Sequence, residues 1–147
     1  MGRCDECGTL ERDGQCCRQQ WGELLALEFS DVRAGSVHFL TVASYQLQHP
    51  ASFPLQPEAL RDLVAALRDA VIDGRDVTSV RDAMQRRYDG SRPVAATAGD
   101  VVAQRRWTRT VADVSPPDPA GHVERVIRWA AAVVDDLAVD DVPGTPG

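Results

Sequence analysis

All four cysteines of this chain lie in one short segment near its start, CDECGTLERDGQCC, which spans residues 4–17. This cluster restricts the fold, because thiols so close together form disulfides, bind a metal ion or carry out redox chemistry. The first residues are polar and show no signal peptide, so we expect a cytoplasmic protein. Thiols stay reduced in the cytoplasm, which disfavours a disulfide framework.

The spacing of the cysteines favours a metal ion. Cys4 and Cys7 form a C-x2-C pair followed by Gly8, which lets two thiolates converge on one ion while the glycine relieves the turn. A structural zinc site has four ligands, so two more are needed. Cys16 or Cys17 can supply a third sulfur, and because there is no second C-x2-C pair we expect a histidine as the fourth ligand. The candidates are His38, His49 and His122.

Two other interpretations of the cysteines stay open. A C-x2-C pair also serves as a redox-active dithiol, and cysteines also do no more than pack locally. A thioredoxin-like role is disfavoured, because no βαβ pattern surrounds the motif.

Hydrophobic periodicity predicts a mainly α fold, a small helical bundle of about five helices with an N-terminal zinc knuckle. The predicted helices cover residues 17–29, 36–49, 56–74, 78–88 and 118–138. For the fourth helix, Thr78 or Ser79 is the predicted cap and Gly90 the predicted end. Residues 91–117 form a predicted long irregular segment before the last helix, with one short strand in RRWTRTVADV. We therefore predict a single domain over residues 1–138, with the knuckle in residues 1–17 and a tail over residues 139–147.

Helix geometry selects among the candidate ligands. If helices 17–29 and 36–49 are antiparallel, Cys17 at the start of the first lies opposite His49 at the end of the second. His38 then lies eleven residues earlier, roughly 16 Å away at about 1.5 Å per residue, so one ion cannot bind both histidines. We predict a zinc site made by Cys4, Cys7, Cys17 and His49.

Several polar residues outside this set share one side of the helix at 36–49 or lie in the last helix. We predict these as candidates for binding a ligand or partner: His38, Tyr45, Gln48 and His122. A half-buried face whose polar groups are satisfied by neighbours is the alternative for the first three. For His122, in the first turn of the last helix, a solvated or capping role is the simpler hypothesis.

Composition excludes two classes of partner. The net charge is -6 and there is no contiguous basic run, so we expect no nucleic acid. No apolar run approaches the roughly 20 residues that span a bilayer, so we expect no membrane. The expected partner is an unidentified protein or small molecule.

The chain also resembles a bacterial family of uncharacterised proteins, DUF5946. The similar stretches are CDECG, LLALEFSD, AGSVHFLTVASYQLQHP, TVADV and VERVIRWAAAVV. The family pattern has its third cysteine four residues before an aromatic residue, which here is Cys17 before Trp21 and leaves Cys16 as an extra thiol. Many relatives have a second histidine where this chain has Phe39, and the resemblance implies no activity.

Three hypotheses of function follow from these observations. The first is a small zinc-binding helical protein whose metal is structural and which acts by binding a partner. The second is a metal-dependent enzyme similar to DinB-like helical bundles, in which His38 and His122 converge on a metal and Tyr45 assists acid–base chemistry. The third is a redox-sensing zinc protein.

Overall fold

The computed structural model describes residues 2–88 and 106–140, and within them it is mainly α-helical. The helices are α1 (Cys17–Ser30), α2 (Val32–Gly35), α3 (His38–Gln48), α4 (Pro57–Val71), α5 (Val77–Tyr88) and α6 (His122–Asp140), and a 3-10 turn spans Val111–Asp113. The described part contains no strand, only two isolated backbone bridges in the N-terminal segment. The predicted mainly α fold is confirmed, with the one-turn helix α2 as an addition.

α1 and α3 form the predicted antiparallel pair, joined through α2. Asp31 caps α2 by accepting a hydrogen bond from the backbone N–H of Ala34, at 2.9 Å. The short helix therefore reverses the chain between the two longer ones. As a result the first residue of α1, Cys17, lies beside the end of α3.

Two predicted boundaries are wrong because local hydrogen bonds decide them. α5 begins at Val77, and its first turn is capped by Asp76, whose carboxylate accepts from the backbone N–H of Ser79 at 3.0 Å. The last helix begins at His122 instead of residue 118, since a turn closed by a bond from the Gly121 N–H to the Asp118 carbonyl precedes it. Gly90, the predicted end of the fourth helix, lies outside the described residues.

The predicted strand in RRWTRTVADV is also wrong. Its last residues form the 3-10 turn, in which the Thr110 hydroxyl accepts from the N–H of Ala112 and the Asp113 carboxylate accepts from the N–H of Thr110. Such local bonds compete with strand pairing. The turn directs Val111 and Val114 into the core. Residues 89–105, most of the predicted irregular segment, lie outside the described residues.

The core lies between α1, α3, α4 and α6. Its fully buried side chains include Leu24, Leu40, Leu67, Val126, Trp129 and Val133. A polar link in it joins α3 and α6: the Trp129 indole N–H donates to the Gln48 side-chain oxygen at 3.2 Å, and the Gln48 amide donates to the Arg109 carbonyl at 2.7 Å. This link joins α3 and α6 to the segment that follows residue 105.

None of the helices in residues 2–88 and 106–140 is long and apolar enough to cross a membrane. α6 ends at Asp140, and residues 141–147 of the predicted tail lie outside the described part. The tail and the single-domain boundary at residue 138 stay predictions.

Candidate metal centre

The knuckle is a tight backbone turn that points two sulfurs the same way. The Cys4 N–H donates to the Thr9 carbonyl and the Gly8 N–H donates to the Cys4 carbonyl, both at 2.9 Å. Gly8 has a φ of +82°, a conformation that L side chains rarely adopt, which explains the glycine after the second cysteine. The Cys7 N–H also points at the Cys4 sulfur, at 3.5 Å. The turn therefore brings the two thiols together.

The α1–α3 pair supplies the other two donors. The Nε2 atom of His49, the residue after α3, lies 3.5 Å from the sulfurs of both Cys4 and Cys17. With Cys7 included, the four donor atoms all lie within 4.8 Å of one another. No other group of three or more Cys, His, Asp or Glu side chains meets this criterion in the described ranges. The structure thus brings together the four residues that the sequence predicted, and the histidine among them is His49.

The spacing and the donor set fit one metal ion. In a tetrahedral zinc site with Zn–S of about 2.3 Å and Zn–N of about 2.0–2.1 Å, a sulfur and a nitrogen are about 3.5 Å apart. The two sulfur-to-nitrogen distances of 3.5 Å at His49 match this value. Cys7, Cys17 and His49 are buried and Cys4 is partly exposed, so the group is enclosed by the protein on most sides. The four side chains are therefore close enough to hold an ion, with three sulfurs and one nitrogen as ligands.

The histidine is held in the form that a metal requires. The Nδ1 atom of His49 lies 2.7 Å from the Tyr45 carbonyl, one helical turn earlier. Because a carbonyl only accepts hydrogen bonds, Nδ1 carries the proton and Nε2 presents its lone pair to the sulfurs. Fixing the tautomer through the second ring nitrogen is the usual way in which proteins orient a metal-binding histidine.

An aromatic stack fixes the ring of His49. The Tyr45 ring lies between the rings of Trp21, at 4.1 Å, and His49, at 3.8 Å, while Phe53 contacts Tyr45 edge-on. The Tyr45 hydroxyl is 3.4 Å from the Cys17 sulfur, to which it can donate once the thiol is ionised. Burial, followed by this bond to Cys17, raises the pKa of the Tyr45 phenol. Tyr45 is therefore a supporting residue of the metal centre and stays protonated.

The thiols of Cys7 and Cys17 have different pKa values. A hydrogen bond from Cys17 lowers the pKa of Cys7, whereas the bond to Cys7 and burial raise the pKa of Cys17 to about 11. A metal that binds the Cys17 sulfur must displace its proton, so we expect metal affinity to rise with pH and to fall as the solution becomes acidic.

The fourth cysteine lies outside the centre. Cys16 is exposed, and its backbone N–H donates to the Gln19 side chain at 2.9 Å at the start of α1. All four cysteines are free thiols, so the structure contains no disulfide among them. This matches the predicted choice of Cys17 over Cys16.

The remaining predicted residues lie elsewhere in the fold. Gln48 is fully buried in its link to Trp129, and its role in binding a partner stays a prediction. The solvated or capping role for His122 is wrong, because its side chain is completely buried and its Nε2 lies 2.6 Å from a Glu28 oxygen. The Nδ1 atom of His38 lies 2.9 Å from the other oxygen of Glu28.

Glu28 is the residue that sequence reasoning missed. A glutamate in a helix is usually a solvated charge, but a signal was present. The buried residues of α1 are Cys17, Gln20, Trp21, Leu24 and Glu28, which follow one face at helical spacing. Glu28 continues this stripe one turn after Leu24, so its position indicates burial even though its chemistry does not.

We expect Tyr45→Phe to weaken metal binding about 10–100-fold, since it keeps the aromatic stack but removes the hydroxyl beside Cys17. Competition with a chromophoric chelator measures this. Ser44→Ala is the matched control, because Ser44 is the preceding residue of α3, equally buried, and its hydroxyl has no partner among the described residues. Equal affinities for the Tyr45→Phe protein and the unsubstituted protein would contradict a role for the hydroxyl.

Comparison with known proteins gives a family match over nearly the whole chain. The sequence model of DUF5946, described as a family of unknown function, matches residues 2–138. The match covers the knuckle and the whole of the described core. It also covers Glu28, His38, Thr41 and His122, which we call the Glu28 cluster. Comparisons with curated proteins and with solved structures gave no match.

Proposed function

The chain belongs to the DUF5946 family, and we propose that it is a zinc-binding helical protein whose metal is structural and which acts by binding a protein or small-molecule partner. Its zinc ligands are Cys4, Cys7, Cys17 and His49. The observation that carries the proposal is the convergence of three sulfurs and one oriented imidazole nitrogen within 4.8 Å. Sulfur-rich sites with four protein ligands are typical of structural zinc.

The geometry also supports a structural role for the ion. Four protein ligands complete a tetrahedron, so no position is left for a substrate or an activated water. The ligands come from three separate parts of the chain: the knuckle, the start of α1 and the end of α3. An ion at this point therefore holds the N-terminal segment against the α1–α3 pair. The partner then binds at a surface whose shape depends on this arrangement.

Ligand replacement tests the assignment. We expect Cys17→Ser and His49→Ala to lower the amount of zinc that the purified protein retains. The matched controls, Cys16→Ser and His38→Ala, change the neighbouring thiol and another histidine, and both should retain zinc like the unsubstituted protein. Equal loss in all four variants, or a larger loss in His38→Ala, would overturn the ligand set.

Metal content tests the identity of the ion. Elemental analysis of protein purified without added metal should give about one zinc per chain. X-ray absorption at the zinc edge should show three sulfur neighbours and one nitrogen neighbour. A protein that contains no metal, takes up none and is nevertheless fully folded would refute the structural role.

The other candidate, a metal-dependent enzyme with His38 and His122 on one ion, has less support. Both histidines contact the carboxylate of Glu28. In the described ranges, however, the only Cys, His, Asp and Glu ligand atoms within 4.8 Å of one another belong to the sulfur-rich centre made by Cys4, Cys7, Cys17 and His49. Tyr45, the predicted acid–base helper, also contacts this centre and lies away from His122.

A further inference from the structure

An open cleft lies between the N-terminal segment and the 3-10 turn at Val111–Asp113. Its volume is about 410 Å³. Its lining includes six side chains from these two parts of the chain: Arg3, Leu10, Glu11, Arg12, Thr110 and Ala112. None of the four ligands of the sulfur-rich centre lines the cleft, so it is a separate candidate site.

Two arginine side chains bring positive charge into this cleft, although the chain as a whole has a net charge of -6. Within residues 2–88 and 106–140, the arginines paired with carboxylates are Arg33, Arg75, Arg81 and Arg125. Arg3 and Arg12 therefore have no such partner in these ranges. The carboxylate of Glu11, which also lines the cleft, accepts a hydrogen bond from the Gly2 N–H at 2.6 Å. Two guanidinium charges against one carboxylate leave the cleft with an excess of positive charge.

Arg12 is held in place by backbone acceptors. Its guanidinium donates to the Ser115 carbonyl at 2.6 Å and to the Ala112 carbonyl at 3.3 Å. Carbonyl groups orient a guanidinium without neutralising its charge. A guanidinium has five N–H donors in a planar fork, and these two bonds leave other donors for an anion. Because the side chain is already ordered, less conformational entropy is lost when an anion binds.

Arg3 lies beside an exposed apolar side chain. Arg3 and Leu10 are paired in an isolated antiparallel bridge, and residues directly opposite each other in such a pair have their side chains on the same face. Leu10 is 55% exposed. The cleft therefore offers an apolar contact next to a positive charge.

The 3-10 turn adds a hydroxyl group. The Thr110 hydroxyl oxygen accepts from the Ala112 N–H at 3.2 Å, which leaves its own O–H proton as a donor. Two guanidinium groups and one hydroxyl suit an oxyanion. A phosphate group carries a charge of about −1.5 to −2 at pH 7 and accepts the paired N–H donors of arginine, so it balances two arginines better than a carboxylate does.

We propose that this cleft binds the phosphate group of a small organic phosphate monoester. Arg3 and Arg12 bind the phosphate oxygens, Thr110 donates to one of them, and the organic part contacts Leu10. The inference gives the proposed function a class of small-molecule partner. It rests on that function in one respect, since the metal holds the N-terminal segment that forms one wall of the cleft.

Calorimetric titration of the full chain, as purified, with phenyl phosphate tests the proposal. We expect one binding site per chain and an affinity that falls with added sodium chloride, because the arginines are exposed. Arg3→Gln should weaken binding about five- to tenfold, and Arg3→Lys, which keeps the charge but not the fork, should weaken it less. Arg128→Gln is the matched control, since it removes an exposed arginine of α6 that lies outside the cleft.

A parallel titration with inorganic phosphate identifies the carrier of the phosphate group. Weaker binding of inorganic phosphate than of phenyl phosphate supports the monoester, and equal binding assigns the site to free phosphate. Absence of binding by both compounds, or unchanged affinity in Arg3→Gln, would overturn the proposal, as would equal weakening in Arg3→Gln and Arg128→Gln.

Zinc content, measured on the same samples, distinguishes this inference from the proposed structural zinc. A fully folded chain that contains no zinc and still binds phenyl phosphate would refute the structural zinc and leave this inference standing. A chain with one zinc that binds neither phosphate compound would overturn this inference alone.

Discussion

Removal of the metal with a chelator is expected to lower the melting temperature of this protein by about 10–15 °C. A ligand that binds only the folded state stabilises it by about 4 kcal/mol when its free concentration is a thousand times its Kd. For a domain of this size, each kcal/mol shifts the melting temperature by about 2–4 °C. Scanning calorimetry with and without chelator measures the shift.

The loss of order is expected to begin in the N-terminal segment. Residues 2–16 contain no helix, and Cys7 and Thr9 are the only buried residues among them. Glu6 accepts from the Ala51 N–H at 2.7 Å, and Arg12 donates to the Ser115 carbonyl at 2.6 Å. Exposed or partly exposed contacts of this kind stabilise weakly, so they slow the opening of the segment without preventing it.

Hydrogen exchange with and without chelator should reveal this order. Amides of residues 2–16 and of the end of α3 should lose protection first, while α4 and α6 keep theirs because their apolar faces pack against each other. The Cys17→Ser protein is the control, since it should respond little to the chelator. The opposite order, with the knuckle protected and the surroundings of His38 and His122 exposed, would show that the stabilising ion lies between the helices.

The convergence of Cys4, Cys7, Cys17 and His49 was predictable because local rules determine it. C-x2-C-G is a turn that brings two sulfurs together, and an antiparallel pair of helices places Cys17 beside His49. The prediction that Cys17 lies beside His49 needed only the lengths of the two helices and a short connection between them. The orientation of His49 by Tyr45 also follows from the helix, because the two residues are four positions apart.

The Glu28 cluster was not predictable in full, because it depends on packing between distant parts of the chain. Glu28 and His122 are 94 positions apart, and no local pattern relates their helices in space. Convergence of His38 and His122 appeared in the sequence only as one hypothesis, and the carboxylate between them was missed. The predicted strand at 105–114 is wrong for a different reason. Hydrogen bonds of the Thr110 and Asp113 side chains close a turn there, which residue propensities do not indicate.

The cluster also raises the question of why a bundle keeps a buried carboxylate between two imidazoles. A buried polar network is stable only when its members satisfy one another, so removal of one partner has a large effect. Replacement of the whole network by apolar side chains of similar volume is often neutral or stabilising. Comparing the stability of these two kinds of variant therefore distinguishes a network that stabilises the fold from one that has another function.

We expect Glu28→Ala to lower the free energy of unfolding by about 3–5 kcal/mol, since it leaves the buried His122 and Thr41 without their acceptor. The triple variant Glu28→Leu, Thr41→Val, His122→Leu removes every buried polar group of the cluster and should recover most of that loss. Urea unfolding of the unsubstituted protein and of both variants measures the difference. If the triple variant stays as unstable as Glu28→Ala, the hydrogen bonds themselves hold α1, α3 and α6 together. If it folds as stably as the unsubstituted protein, an apolar core would serve the fold equally well, and stability alone does not explain why this chain has a buried polar cluster.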